Sequence, residues 1–251
     1  MLQQVGPGVH RYADGLVNWY VLEDGGRLTL VDAGWPRSWP RVRAAIEGLG
    51  RSLGDVAAIV LTHGHPDHLG AAEHARRETG APVYAHRDEV ARARGKAKGA
   101  SPFALVPGLL PTLWRPPALG FVMHATVRGF MMPTWVSELV AFDSGDQLDV
   151  PGRPHAVATP GHTEGHVALH LPDAGVVLCG DALATFDPLF QRNGGPRFLP
   201  DQLNGDPARV RASADALAAL DSGTLLPGHG DPFTGTAAEA VSRARAADGS
   251  H

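Results

Sequence analysis

The sequence predicts an α/β fold, a four-layer αββα sandwich in one domain over residues 1–251. Three observations carry this. Short, branched apolar runs of strand length, bounded by Gly, Pro or Asp, recur through both halves of the chain. Helix-like patterns accompany the strands in each half. Only residues 95–137 break that rhythm, and 251 residues are enough for one large domain with a substantial core.

Taken in order, residues 9–12, 16–22 and 27–31 read as strands split by the turns Asp14-Gly15 and Asp24-Gly25-Gly26. Pro40 suits a first helical turn, and Ala44, Ala45, Ile46 and Leu49 give that helix an apolar face, with Gly50 closing it. A strand over 57–61 and a helix over about 67–79 follow, then a strand over 82–85 and a short helix over 87–94. Residues 95–137 are too apolar for disorder and too long for a simple connection, so they read as an inserted lid of short helices or a dimer contact. Within them, His124 and Arg128 are candidate substrate contacts. The second half shows strands at 138–142, 147–150 and 155–158, and a hairpin of 167–171 with 176–178. A Gly-rich loop at 192–197 comes next, then a helix from Asp206-Pro207 to about 220 and a strand at 224–226. Thr236 to Glu239 form a capping box for a last helix.

The chemistry concentrates in Thr62-His63-Gly64-His65-Pro66-Asp67-His68, directly after the strand at 57–61. Imidazole is the commonest metal-ligating side chain, and so dense a cluster has no rationale as packing. His63 and His65 can face one position, while Asp67 and His68 can serve an adjacent one. Pro160-Gly161-His162-Thr163-Glu164-Gly165-His166, Cys179-Gly180-Asp181 and Pro227-Gly228-His229-Gly230 also each follow a strand-like run. Four strand ends delivering imidazole and carboxylate are what a two-metal site needs.

This succession, from Leu30-Val31-Asp32-Ala33-Gly34 to His229, resembles the metallo-β-lactamase fold superfamily of metallohydrolases. The resemblance implies His63, His65 and His162 at a first metal, Asp67, His68 and His229 at a second, and Asp181 as the bridging carboxylate. It implies that Asp32 orients the metal loop rather than binding metal. Two divalent ions are expected, zinc first, with iron or manganese also compatible with these donors. Such a pair can acidify a shared water, giving a hydroxide that attacks the carbonyl of a small ester, thioester or lactone. Asp67 is the expected catalytic acid/base. His166 is expected beside the ligands rather than among them, Cys179 and His86 as structural, and His74 as exposed. His10, His155, His170 and His251 match no motif and are read as structural or solvent-facing.

Composition narrows the classes. A net charge of −4 shows no basic footprint for nucleic acid. No apolar run is long enough to span a membrane, and the start of the chain lacks a signal pattern. One cysteine suits a reducing cytoplasm. The expected partners are a small-molecule substrate and a second copy of the chain through the apolar insertion. The alternative function is a persulfide-dioxygenase-like oxidoreductase with one iron on His63, His162 and Asp181. A non-catalytic binding protein would be expected to have lost ligands, and none is lost.

Overall fold

The computed structural model describes residues 2–248; His251 lies outside the described residues. Strands β1 (Leu2–Gly6), β2 (Val9–Asp14), β3 (Val17–Asp24), β4 (Arg27–Val31), β5 (Val56–Val60), β6 (Val83–His86) and β7 (Val140–Phe142) form one seven-stranded sheet in that order. Its first four strands make an antiparallel meander. From β4 onward every pairing is parallel, and helices α1 (Trp39–Gly48) and α2 (Ala72–Thr79) serve as crossovers. The short α3 (Val90–Ala93), α4 (Val106–Leu109) and the longer α5 (Pro116–Val127) lie between β6 and β7.

The second half supplies β8 (His155–Ala158), β9 (Val167–Leu171), β10 (Val176–Gly180), β11 (Ala184–Asp187), β12 (Arg192–Arg197), β13 (Thr224–Pro227) and β14 (Phe233–Thr234), with helices α6 (Pro207–Ala218) and α7 (Ala237–Asp248). Five of these strands form a sheet in the order β14-β13-β10-β9-β8, and β11 with β12 makes a separate hairpin.

Strand alternation builds the four layers. Trp19 and Val21 of β3 point towards α1 and α2, joining Val42, Ile46, Ala72 and Ala75. Tyr20 and Leu22, on the other face, meet Leu169, Val176 and Leu178 from the second sheet. Val177 and Cys179 of β10 then face Val210, Ala214 and Leu217 of α6 and Ala240 and Val241 of α7. Fully buried side chains such as Ile59 and Leu178 each contribute about 1.5–3 kcal/mol through burial. The αββα architecture expected from the sequence is thus present.

Five local details differ from expectation. Strand β1 was not foreseen, because its exposed Gln3 and Gln4 leave little apolar signal. Helix α2 starts at Ala72 rather than near Asp67. Gly70 packs so tightly on Trp35 and Pro36 that a Cβ there would collide with their backbone, and Ala33 N–H bonds His68 O at 2.6 Å, so residues 67–71 stay a turn. The strand near 138–142 is β7, and it closes the first sheet beside β6 rather than opening the second. Residues 147–150 form no strand, only an isolated bridge from Gln147 to His155, while the glycine-rich 192–197 is strand β12.

Candidate metal centre

The cluster stands at the carboxyl ends of strands from both sheets. His63, His65, Asp67 and His68 follow β5; His162 follows β8, Asp181 follows β10 and His229 follows β13. Strands β10 and β13 are parallel, which sets Asp181 and His229 side by side. Thr62 O accepts from Val167 N–H at 3.1 Å, tying the first His loop to the second sheet. From the opposite side, Asn18 Nδ2 and Tyr20 Oη both donate to Pro227 O, at 2.9 and 2.6 Å, and Arg11 Nη2 donates to Gly230 O at 2.8 Å. The loop carrying His229 is therefore held by side chains of β2 and β3.

All seven residues expected to bind metal come together. Three overlapping groups have ligand atoms within 4.8 Å of one another: His63 with His65 and His162, His63 with His68 and Asp181, and Asp67 with His68 and His229. Asp181 joins them. Its Oδ2 lies 3.2 Å from Nε2 of both His162 and His229, and its Oδ1 lies 3.3 Å from Nε2 of His68.

Outward hydrogen bonds set the ring tautomers. His68 Nδ1 meets Asp32 Oδ2 at 2.8 Å, and His229 Nδ1 meets Leu16 O at 2.5 Å. His162 Nδ1 meets Asn204 Oδ1 at 2.9 Å, while the Asn204 amide donates to Leu199 O, so its oxygen is the acceptor. Thr62 Oγ1 donates to Asp32 Oδ2 and so accepts from His63 Nδ1, at 3.1 Å. Each of these four rings holds a proton on its outer nitrogen, which leaves the inward-facing Nε2 as the atom that would offer a lone pair to a cation. His65 Nδ1 then faces His162 Nε2 at 2.8 Å, a gap that a proton or cation must bridge.

The charge environment divides the rings: the carboxylates favour a charged His68 and His229, whose inward protons a cation would displace, and burial keeps the others neutral. Burial, with His68 and His162 nearby, holds the His63 pKa well below the ordinary imidazole range, and burial beside His162 does the same to His65. Burial opposes charge on Asp181, yet His229, His68 and His162 keep its carboxyl well below the usual range. Burial likewise opposes charge on His68, but Asp181, Asp32 and Asp67 raise it well above its ordinary value. Buried His63 Nε2, His68 Nε2 and Asp181 Oδ1 have no hydrogen-bond partner, and orphaned atoms of this kind are costly in the absence of an ion. Inward-facing Nε2 atoms, an ionised carboxylate and orphaned atoms fit divalent cations.

Several nearby residues behave as expected. His166 is buried with a pKa lowered to about 3, chiefly by burial; its Nε2 accepts from Asp181 N–H at 2.9 Å and its Nδ1 meets Thr159 Oγ1 at 2.8 Å, so both nitrogens are engaged. Cys179 is buried in the core, its thiol pushed up by burial. His86 meets Ser144 Oγ at 3.2 Å, His155 meets Gln147 Nε2 at 3.0 Å, and His170 bonds Asp221 O at 2.9 Å. His10 lies 3.4 Å from Glu23, and His74 is exposed. His124 and Arg128 are corrections. His124 packs edge-on against Trp35, and Arg128 pairs with Asp14 at 2.7 Å, so neither lines the cleft.

Glu89 escaped the sequence reading. Its buried carboxylate accepts Gly64 N–H at 2.7 Å through Oε2 and Gly165 N–H at 2.9 Å through Oε1, one from each histidine loop. Glu89→Gln leaves one oxygen and turns an NH2 against a backbone N–H. We expect cation affinity to fall about 10–100-fold with the fold retained, read by competition with a chromophoric chelator. Unchanged affinity would make Glu89 a packing residue only.

Over the cluster lies a cleft of about 30 Å³, walled by Leu105, Phe121, Phe130, Pro188, Leu199 and Leu203 and floored by His65, Asp67, His162, Asp181 and His229. Leu105, Phe121 and Phe130 come from residues 95–137.

Comparison with known proteins follows this geometry. The family model of the metallo-beta-lactamase superfamily matches residues 12–229. The probable metallo-hydrolase YflN of Bacillus subtilis (strain 168) is 31% identical over 91% of this chain and 86% of its own length. A hydroxyacylglutathione hydrolase of Dechloromonas aromatica (strain RCB) is 28% identical over 82% of this chain, which spans 55% of that protein. Among solved structures, a metallo-beta-lactamase family protein of Thermus thermophilus superposes with a TM-score of 0.68 at 26% identity, covering 97% of this chain and 80% of the other. Its fold, the convergence of its histidine and aspartate motifs and these matches together place the chain in the metallo-beta-lactamase superfamily of metallohydrolases.

Proposed function

We propose that this chain hydrolyses a small ester, thioester or lactone at a two-cation centre, with zinc the expected metal and iron or manganese compatible with the donors. His63, His65 and His162 would hold one ion, Asp67, His68 and His229 the other, and Asp181 would bridge them. The observation that carries this is the set of inward-facing Nε2 atoms, fixed from outside by Asp32, Asn204, Thr62 and Leu16 O, around one shared carboxylate. The bound pair would supply an acidified water and polarise a carbonyl.

The chain's own residues supply the rest. Asp32 and Asn204 keep the rings of His68 and His162 oriented while charge develops. Asp67 is open to the cleft and forms no hydrogen bond among the described residues, so its carboxylate is free to take a proton and pass it to the leaving group. Leu105, Phe121, Phe130 and Leu203 exclude water and favour an apolar acyl or aromatic group. A cleft of about 30 Å³ has room for little more than a water, so residues 95–137 act as a lid that must open for substrate. The outer face of that lid exposes Leu110, Trp114, Met123 and Val127, where the homodimer contact expected from the sequence would form. The relatives named hydroxyacylglutathione hydrolase support a thioester among the candidates. No helix among the described residues is long and apolar enough to cross a membrane, and the buried, unpaired thiol of Cys179 supports a cytoplasmic setting.

The test is metal analysis with a panel of lactones, thioesters and aryl esters. Close to two zinc ions per chain and turnover of at least one class are expected. One iron per chain, with oxygen-dependent turnover of a persulfide and none of the esters, would overturn the assignment in favour of the dioxygenase.

A further inference from the structure

Beyond Leu199, which lines both spaces, the metal cleft adjoins a second and larger one of about 820 Å³. The hairpin that follows Asp181 forms much of its wall: Asp187 ends β11, and Arg192 and Arg197 begin and end β12. Arg115, just before α5, completes the basic wall. The Arg115 and Arg192 guanidinium carbons lie 5.2 and 5.4 Å from the Phe190 ring centroid, so one aromatic ring orients both.

The charges here are unbalanced. Arg211 is fully engaged, at 2.6 Å from Asp248 and 2.9 Å from Asp201. Arg115, Arg192 and Arg197 enter no ion pair within 4.0 Å among the described residues. Asp187 is the acid that Arg192 and Arg197 face at longer range. It is buried, its pKa is raised by that burial, and its Oδ1 already accepts Leu189 and Phe190 N–H at 2.9 and 3.0 Å. Three guanidinium groups without a carboxylate ion-pair partner among the described residues, in a chain of net charge −4, mark a local site for an anion with several oxygens.

We propose that this cleft binds the anionic end of the leaving group, so that the substrate is an acyl thioester of a thiol bearing phosphates or carboxylates. This rests on the hydrolase reading above. The apolar cleft over the cations takes the acyl part, and the thiol part passes Leu199 to reach Arg115, Arg192 and Arg197. Hydrolysis then breaks the C–S bond, water supplies the acid's new oxygen, and the thiol leaves with a proton from Asp67.

Two measurements on metal-loaded protein test this, each comparing wild type with Arg192→Ala/Arg197→Ala at matched metal content and melting temperature. The first is calorimetric titration with inorganic pyrophosphate and, separately, tricarballylate; the tighter binder tells phosphate from carboxylate recognition. The double variant is expected to weaken it at least about tenfold, and added salt to weaken the wild type. The second is the ratio of kcat/KM for S-butanoyl coenzyme A or S-butanoyl glutathione to that for neutral S-butanoyl-N-acetylcysteamine. That ratio is expected to fall at least about tenfold in the variant, through KM. Anion binding that ignores both arginines, or an unchanged ratio, overturns the subsite even where thioesters are hydrolysed. Arginine-dependent anion binding with turnover of esters or lactones but of no thioester overturns the thioester assignment, and anion binding with turnover of none of the three classes removes the hydrolase reading itself.

Discussion

Asp181→Asn is expected to leave a folded protein that no longer holds its cations. The carboxylate contacts His162 and His229 through one oxygen and His68 through the other, so it spans both proposed ion positions. An amide nearly preserves shape but removes the negative charge that would balance the two proposed cations in a buried site. Breaking a buried charge pair costs about 3–5 kcal/mol, or roughly 10²- to 10³-fold or more in affinity. Metal content after dialysis should fall well below that of wild type, and hydrolysis should fall with it. An Asp181→Asn variant that kept wild-type metal content and turned over within about tenfold of wild type would place the bridge elsewhere. The same centre explains Gly228: a Cβ there would collide with Asp181 Oδ1 and approach His68 Cε1 to 2.7 Å, so the residue before His229 must lack a side chain.

Much of the site was legible because its signals are local. A bounded apolar run followed closely by histidine or aspartate beside glycine presents that side chain at a strand end, and four such junctions, three with histidine and one with Asp181, declare themselves in sequence. The layers were legible for a similar reason: Trp19-Tyr20-Val21-Leu22 is apolar throughout, as a strand buried on both faces must be. What escaped depends on pairing between distant segments. Nothing near Val140 says that its partner is Tyr84 rather than a strand of the second half. Nothing in Arg11, Asn18 or Tyr20 signals that they grip a loop more than two hundred residues away. Glu89 reads as an ordinary acid on a short helix, and only the fold shows both of its oxygens committed to the two histidine loops. His124 misled for the opposite reason: a polar residue in an apolar insertion suggests a site, but the Asp14 turn claims Arg128 and Trp35 claims the imidazole.

Asp67→Asn separates holding a cation from moving a proton. Asp67 Oδ2 stands 3.8 Å from His229 Nε2 and 4.0 Å from His68 Nε2, near enough to share an ion with them. Asparagine keeps an oxygen there but has no basic site. Metal content should therefore remain closer to wild type than in Asp181→Asn, while kcat falls by about 10²- to 10⁴-fold, the range for a lost acid/base group. The size of the loss should follow the leaving group. A poor alkoxide leaving group needs the proton as the bond to carbon breaks, so alkyl esters should suffer most. A nitrophenol leaves as its anion without that proton, so its esters should suffer least, and a plot of log kcat against leaving-group pKa should steepen in the variant. If every ester slowed by the same factor, or if the loss simply tracked missing metal, Asp67 would be a ligand and not the proton carrier.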